Sequence, residues 1–222
     1  MTIPPTPSAV IRRPCPVCEA DALEAFQQVR GTHYDRCLRC QATVMNPDHW
    51  LSAAQEREVY RLHDNDPLDA GYRRFLARLA DPLLERLEPG SRGLDFGCGP
   101  GPALAGMLEE AGMTMALYDP FFQPDPEALS GTYDFVTCTE VVEHLHAPAQ
   151  VFRELDRLVS VGGWLAVMTC FQTDDRQFAN WHYRRDPTHV VFYRESTMAW
   201  LARDKGWDLY VPSKDVALFH KR

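Results

Sequence analysis

The sequence lacks the features of a membrane-embedded or secreted protein. It has no apolar run of about 18 residues, the length that a membrane-spanning helix needs. Its first fourteen residues, MTIPPTPSAVIRRP, contain no apolar stretch of the kind found in signal peptides. We therefore expect no membrane insertion and a cytoplasmic location.

A net positive charge, internal repeats and low-complexity tracts are also missing. The 31 acidic residues outnumber the 23 basic ones, which gives a formal net charge of −8. Wholesale nucleic-acid binding needs a positive surface, so this balance argues against it and favours a small-molecule substrate. With 222 residues and 45% hydrophobic content, the chain can bury the core of one sizeable α/β domain with a small appendage.

Cysteine is present in a pattern typical of metal binding. Two C-x-x-C pairs, CPVC and CLRC, lie 18 residues apart, and each pair can place two thiolates on one side of a tight turn. This spacing predicts a zinc ribbon over residues 15–47, with a structural ion held by Cys15, Cys18, Cys37 and Cys40. The other three cysteines, Cys98, Cys138 and Cys170, lie singly in apolar stretches and are expected to be small buried side chains.

The remaining chain divides into three parts. Residues 1–14 have four prolines and no periodicity, and we expect a flexible lead-in. Leucines recur at helical spacings over residues 51–88, which predicts a helical connector interrupted near Asp66-Pro67. Over residues 90–222, short apolar runs alternate with helical patterns, which predicts a mostly parallel sheet covered by helices. WDLYV and VALFHK are expected to form a terminal β-hairpin.

A glycine-rich loop follows the first strand of this third part. In LDFGCGPG, the strand leads directly into Gly97, Gly99 and Gly101 and then into a helix. Glycines permit close backbone approach to a ligand, and the helix N-terminus offers free N–H groups. Asp119 ends the next strand about 20 residues later, where a carboxylate can accept ribose hydroxyls. Together these features predict a nucleoside-type cofactor at the carboxyl edge of the sheet.

Four segments in order, GLDFGCGPG, YDP, YDFVTCTEVVEHL and LVSVGGWLAVMT, resemble the motifs of class I S-adenosylmethionine-dependent methyltransferases. A dehydrogenase of the NAD class would place its third glycine one position later. The resemblance implies a Rossmann-like methyltransferase sheet and a set of residues around S-adenosylmethionine. By position, Asp95, Gly97, Gly99 and Gly101 would line the methionine part, Asp119 would bind the ribose, and Cys138 and Thr139 would form the floor.

The segment after Asp119 departs from that family pattern. Only PFFQPDPEALSGTY separates Asp119 from Asp134, which is too short and too rich in proline for a helix and a further strand. We therefore expect the edge strand to be lost. Phe121 or Phe122 would then cover the adenine base in place of the usual acidic contact.

The stretch TEVVEHLH, residues 139–146, is rich in carboxylates and imidazoles. If a helix begins at Thr139 or Glu140, then Glu140, Glu143 and His144 lie on one face at i, i+3 and i+4. They are interpreted either as ordinary helix residues of a metal-free enzyme or as ligands of a divalent ion. His146 would point away from that face.

A second stretch, WHYRRDPTHVVFY, follows the fifth strand and is expected to fold over the same pocket. Its pairing with E-x-x-E-H is similar to metal-dependent small-RNA 2′-O-methyltransferases, and E-x-x-E-H also occurs in ubiquinone-pathway O-methyltransferases. The first resemblance implies a divalent ion held by Glu140, Glu143, His144 and His189. Without an ion, His189 or His182 would be the general base. Arg184 and Arg185 would either recognise a carboxylate or phosphate on the substrate or form a solvated pair.

The sequence therefore predicts a methyltransferase that acts on a small molecule, at a hydroxyl, with S-adenosylmethionine as cofactor, a structural zinc and possible second divalent metal. The candidate catalytic residues are His189, His182, Glu143 and His144. Two alternatives stay open at this point, namely an RNA methyltransferase that uses the ribbon to hold its substrate, and a protein that binds the cofactor without turnover.

Overall fold

The computed structural model describes residues 10–11, 13–60 and 66–222. In this part of the chain the strands are β1 (Val10–Ile11), β2 (Leu23–Val29), β3 (Thr32–Cys37), β4 (Thr43–Met45), β5 (Arg92–Phe96), β6 (Thr114–Tyr118), β7 (Tyr133–Thr139), β8 (Val159–Met168), β9 (Val191–Phe192), β10 (Asp208–Ser213) and β11 (Val216–His220). The helices are α1 (Ala53–Tyr60), α2 (Ala70–Leu84), α3 (Ala103–Glu110), α4 (Pro148–Leu158) and α5 (Glu195–Lys205).

The larger of two sheets has six strands in the order β10-β11-β8-β7-β5-β6. Strands β8, β7, β5 and β6 are parallel, whereas β10 and β11 form an antiparallel hairpin whose second strand pairs with β8. The predicted α/β fold, with its parallel sheet and terminal hairpin, is confirmed. Parallel strands gather their carboxyl ends at one edge, which is where ligands bind in open α/β sheets.

The predicted loss of the edge strand is also confirmed. After β6, the chain forms a 3₁₀ turn over Pro126–Leu129 and then enters β7 directly. Within the described chain, β6 therefore ends the sheet, with β5 as its neighbour.

Two hydrophobic clusters lie on opposite faces of this sheet. Strand β7 alternates between them: Phe135 packs with α2 and α3, while Val136 packs with α4 and the N-terminal region. The first cluster takes Leu76, Leu79 and Leu83 from α2, which is the leucine stripe that predicted this helix. No helix of the described residues is long and apolar enough to span a bilayer.

The prediction that a helix begins at Thr139 or Glu140 is wrong. Glu140 has a left-handed backbone, with φ at 53°, and residues Val142–His144 form a 3₁₀ turn. Helix α4 begins only at Pro148, because the residue before a proline is disfavoured in the helical region and Ala147 accordingly has φ −131°. Glu143 and His144 therefore lie on a 3₁₀ turn and not on a helix face, and Glu140 lies before that turn.

The smaller sheet joins the N-terminal cysteine region to the rest of the chain. Its strand order is β1-β2-β3-β4-β9, and β9 comes from beyond residue 190. One hydrophobic cluster contains residues from both sides of residue 47, so the predicted ribbon shares a core with the rest of the chain. Of the predicted lead-in, residues 1–9 and 12 lie outside the described residues, and Val10–Ile11 pairs with β2. Residues 61–65 of the predicted connector lie outside them too.

Candidate active site and metal centres

The glycine loop at the end of β5 has the backbone that only glycine adopts easily. Gly97 and Gly99 have φ values of 80° and 66°. A Cβ added to Gly97 would lie 2.3 Å from Cγ2 of Val141, so this position also allows the loop to pack against the turn after β7. The N–H of Gly97 donates to the carbonyl of Tyr118 at 2.7 Å, which holds the loop against β6.

Asp119, the predicted ribose ligand, accepts three backbone hydrogen bonds. One carboxylate oxygen accepts the N–H of Gly99 at 3.1 Å, and the other accepts the N–H groups of Phe121 and Phe122 at 2.8 and 3.0 Å. The carboxylate has about four acceptor positions, so roughly one stays open for a hydroxyl. Asp119 therefore couples the glycine loop to the segment that carries the two phenylalanines.

Asp95 and the end of β7 are the next predicted cofactor-binding residues. Asp95 is buried, and its Oδ1 accepts a hydrogen bond from the Thr137 hydroxyl at 2.7 Å. Burial raises the pKa of Asp95 to about 6, with repulsion from Asp119 adding to the effect. The Cys138 side chain is fully buried, whereas the Thr139 hydroxyl oxygen is buried and has no hydrogen-bond partner among the described residues. An unpaired polar atom at this depth suits a ligand that completes it.

The turn after β7 and the second stretch bring three potential ligands together. One side-chain donor atom each from Glu143, His144 and His189 lie within 4.8 Å of one another. Glu143 is fully buried and His189 is 6% exposed. The i, i+3, i+4 argument that predicted the grouping is wrong in its geometry, because the residues lie on a 3₁₀ turn. Glu140, the fourth predicted ligand, is not part of this group.

Backbone carbonyls fix which nitrogen of each histidine faces the group. Nδ1 of His189 lies 2.7 Å from the carbonyl oxygen of Tyr183, and Nδ1 of His144 lies 3.2 Å from that of Thr188. A carbonyl only accepts, so Nδ1 carries the proton in the neutral ring and Nε2 keeps its lone pair. Nε2 of His144 lies 3.9 Å from Oε1 of Glu143. Nε2 is thus the unprotonated nitrogen of each ring, and it is the atom that could coordinate an ion beside the carboxylate.

The electrostatics of this group favour a bound cation. Burial raises the pKa of Glu143, although His189 and the Tyr183 hydroxyl counteract it. Burial lowers the pKa of His189 below its usual value. Oε2 of Glu143 is buried without a hydrogen-bond partner among the described residues. A divalent ion would coordinate that oxygen and stabilise the charged carboxylate while both imidazoles stay neutral, with one proton each on Nδ1.

Comparison with known proteins shows which family the chain belongs to. The family model described as "Methyltransferase domain" matches residues 68–210, well over half of the chain. The chain belongs to the class I S-adenosylmethionine-dependent methyltransferases. Among the solved structures that this methyltransferase resembles is the magnesium protoporphyrin IX methyltransferase of Synechocystis PCC 6803, with bound S-adenosylhomocysteine. The TM-score is 0.52 at 16% identity, over 77% of this chain and 95% of that chain, which shows the shared fold.

Curated relatives of this methyltransferase include ubiquinone biosynthesis O-methyltransferases. That of Burkholderia vietnamiensis is 30% identical over 135 residues, which cover 50% of this chain and 54% of the relative. That of Escherichia coli O6:H1 is 32% identical over 139 residues, which cover 52% of this chain and 53% of the relative. The methyltransferase chain thus spans about half the length of the curated relatives it matches.

Two predicted residues of the methyltransferase lie apart from the ligand group. His182 is exposed on the surface. Glu140 is partly buried on the strained turn, where burial, followed by repulsion from Glu143, raises its pKa to about 9. His146, expected to point away, does so and stacks on Trp50 with ring centroids 4.1 Å apart.

Two tyrosines were not singled out by the sequence as parts of the group. The Tyr183 hydroxyl donates to Oε1 of Glu143 at 2.6 Å, and Tyr60 of α1 packs edge-on against His144 with centroids 5.4 Å apart. The centroid of the Tyr60 ring also lies 5.8 Å from that of Phe121, so α1 connects the ligand group to the segment that follows Asp119. These contacts join residues 40 and 84 positions apart, and no spacing within the sequence encodes them.

The four cysteines near the N-terminus converge on one point. Their sulfur atoms lie within 4.8 Å of one another, with Cys15 3.7 Å from Cys40 and Cys18 3.4 Å from Cys37. A tetrahedral zinc ion with bonds of about 2.3 Å requires sulfurs about 3.8 Å apart. Cys15, Cys37 and Cys40 are completely buried, and the hydrogen bond with Cys15 lowers the pKa of Cys18 to about 7. The donor set and its spacing fit a structural zinc ion.

Proposed function

We propose that this methyltransferase transfers a methyl group to a hydroxyl of a small molecule, with a divalent ion held by Glu143, His144 and His189 and a structural zinc held by the four ribbon cysteines. The observation that carries the proposal is the grouping of three donor atoms within 4.8 Å beside the glycine loop. The O-methyltransferases among the curated relatives support a hydroxyl as acceptor.

The donor set indicates the class of ion. One carboxylate and two neutral imidazoles suit a borderline ion such as Mn²⁺, Fe²⁺, Co²⁺ or Zn²⁺ better than Ca²⁺, which takes oxygen ligands. When bound, such an ion lowers the pKa of a hydroxyl and orients it. The chain itself fixes the ligands, since Tyr183 holds Oε1 of Glu143 and two carbonyls orient the histidines. If no ion binds, the Nε2 lone pair of His189 remains as the general base.

The cofactor pocket supplies the second half of the reaction geometry. S-adenosylmethionine provides an electrophilic methyl group when bound. Gly97 allows close approach of the backbone to the cofactor, and Asp119 offers a carboxylate for ribose hydroxyls. The buried Thr139 hydroxyl, which has no hydrogen-bond partner among the described residues, can bond to the cofactor. Val141 packs on Gly97 two residues before Glu143, so the two pockets are adjacent. Alignment of a nucleophile and the methyl group at about 3 Å is the main contribution an enzyme makes here.

The test is methyl transfer from labelled S-adenosylmethionine to two acceptor sets. One set is a panel of phenols and catechols, and the other is bulk tRNA and rRNA. We expect label in the first set, lost with a chelator mild enough to spare the ribbon and restored by Mn²⁺ or Co²⁺. Label in RNA alone would support the RNA methyltransferase, and cofactor binding without any label would support the non-catalytic alternative. Full activity in the chelator would reject the ion and leave His189 as a metal-free base.

A further inference from the structure

We propose that the cysteine ribbon positions the active site of this methyltransferase, with Arg184 as the positioning residue that ties the segment carrying Tyr183 and His189 to the ribbon. The proposal rests on the function proposed above for Glu143 and His189. It assigns the ribbon a role in methyl transfer beyond the stability of the N-terminal region.

The ribbon is hydrogen-bonded to the ligand group through one residue. The N–H of Val190 donates to the carbonyl of Glu143 at 2.8 Å, and the carbonyl of Val190 accepts the N–H of Met45 at 2.8 Å. Val190 directly follows His189 and leads into β9, which pairs with β4 of the ribbon. A displacement of the ribbon sheet is therefore transmitted to the backbone of Glu143 and His189 without a flexible linker.

Arg184 provides the side-chain connection. It is 8% exposed, and its guanidinium donates to the Tyr34 hydroxyl of β3 at 3.3 Å. The same group donates to the carbonyls of Phe178 and Ala179 at 3.2 and 3.0 Å, so it also pins the segment that precedes Tyr183. These acceptors are all neutral oxygens. The expectation that Arg184 recognises an anionic substrate or lies in solvent is thus wrong, because its N–H groups are buried and used inside the protein.

Aromatic packing and a polar network strengthen the same interface. Phe178 packs edge-on against Tyr34 and Phe26 of the ribbon, with centroids 4.9 and 5.3 Å apart. The Asp175 carboxylate accepts from Arg36 of β3 at 2.8 Å, and the Asp175 backbone carbonyl accepts from Gln27 of β2 at 2.8 Å. The segment 175–190 therefore contacts the ribbon at several points, through Asp175, Phe178, Arg184 and Val190.

The chemistry of the site makes this support functional. Tyr183 directly precedes Arg184, and His189 directly precedes Val190. Tyr183 donates to Oε1 of Glu143, and His189 supplies an imidazole lone pair. An active-site geometry wrong by about 1 Å can reduce rate about a hundredfold. Loosening the ribbon should thus disturb the ligand group while the glycine loop and Asp119, on other elements, still bind the cofactor.

The test uses the full chain and two substitutions, Tyr34→Phe and Arg184→Gln, with Tyr210→Phe and Arg203→Gln as exposed controls. Tyr34→Phe keeps the ring and removes only the hydroxyl that accepts from Arg184, so its fold should be retained. Hydrogen exchange of residues 176–190, affinity for S-adenosylhomocysteine, and kcat and KM on an accepted substrate are measured for each. Zinc-depleted parent protein is measured in the same way.

We expect exchange of residues 176–190 to become at least tenfold faster in both variants and in zinc-depleted protein. We also expect kcat to fall tenfold or more, with S-adenosylhomocysteine affinity within about twofold of the parent and both controls unchanged. Unchanged exchange in Tyr34→Phe and in zinc-depleted protein would overturn the proposal, as would equal losses of kcat and of S-adenosylhomocysteine affinity. Because exchange needs neither ion nor substrate, it decides the proposal even if no divalent ion binds Glu143 and the proposed function fails.

Discussion

The hydroxyl of Tyr183 lies 2.6 Å from Oε1 of Glu143 and forms the hydrogen bond that holds this fully buried carboxyl group on one side. The other carboxyl oxygen has no hydrogen-bond partner among the described residues. The Tyr183 hydroxyl also lies 3.0 Å from that of Thr169, at the end of β8. The turn that carries Glu143, the segment that carries Tyr183 and the end of β8 thus meet at the Glu143 carboxylate.

Replacing Tyr183 with phenylalanine should weaken divalent-ion binding. The change removes a hydrogen bond that stabilises the charged form of Glu143, and bonds to charged groups contribute about 1.5–3 kcal/mol. We therefore expect the Kd for Mn²⁺ or Co²⁺ to rise by about 10- to 100-fold, as measured by titration calorimetry. The exposed Tyr210→Phe is the matched control. Equal ion affinity in both variants would mean that Glu143 does not bind the ion.

Glu143→Gln and His189→Ala should each abolish methyl transfer and the second ion while retaining cofactor affinity. His182→Ala should retain both, because His182 is exposed and outside the ligand group. The comparison of His189→Ala with His182→Ala is made on initial rates and on metal content by elemental analysis. Loss of activity in His182→Ala alone would instead identify that residue as the base.

Asp119→Ala should weaken binding of S-adenosylhomocysteine by about 1.5–3 kcal/mol, since the substitution removes the carboxylate proposed to bind the ribose and releases three backbone N–H groups. Calorimetry measures the affinity, and Asp81→Ala, at an exposed position of α2, serves as control. Should the two variants bind equally well, the ribose must lie elsewhere.

Asp95 should make the ligand-free protein less stable as pH rises. Its pKa is raised from 3.8 to about 6 in the folded state, so the folded protein holds this proton more tightly than the unfolded chain. The free energy of unfolding attributable to Asp95 is highest below pH about 4, falls through pH 4–6, and is lower by about 2–3 kcal/mol above that range. Asp95→Asn should remove this fall relative to the parent in denaturant unfolding. Parallel pH profiles for the two proteins would contradict the expected shift.

Each chain should contain one tightly held zinc ion in the ribbon. Cys37→Ser removes one of four buried ligands. The zinc content, measured after a mild chelator has removed any ion at Glu143, should then fall from one per chain to near zero. The matched change Cys170→Ser, at a cysteine outside both ligand groups, should leave the content at one. Zinc retained in Cys37→Ser, or absent from the parent, would exclude the site.

Local sequence signals predicted the sheet, the glycine loop and the cysteine group because each depends on spacing within one short stretch. The loss of the edge strand was predictable for the same reason, since too few residues separate Asp119 from β7. The turn at Glu140 was not, because its left-handed backbone follows from the tertiary setting at the end of β7. The residue pattern there is that of a helix, whereas the observed backbone brings Val141 against Gly97.

Contacts between distant stretches could not be inferred from spacing. The pairing of β9 with β4 joins residues about 150 positions apart. Strand β9 has only two residues, and a segment this short has no sequence pattern from which its partner strand can be predicted. Arg184 illustrates the same limit: an arginine pair in a polar stretch favours a surface or an anion site, and only the fold reveals that one member is buried against Tyr34.

The contact between Gly97 and Val141 restricts how the sequence can change. No side chain fits at position 97 while valine occupies position 141, because a Cβ would lie 2.3 Å from the valine methyl group. Gly97→Ala alone should therefore destabilise the fold. In the double change with Val141→Gly the clash is removed, but position 97 keeps the strain of a positive φ. In a library that randomises both positions, glycine should dominate at 97, and any survivors with alanine there should carry a smaller residue at 141. Positions 97 and 141 should therefore change together and not independently of each other.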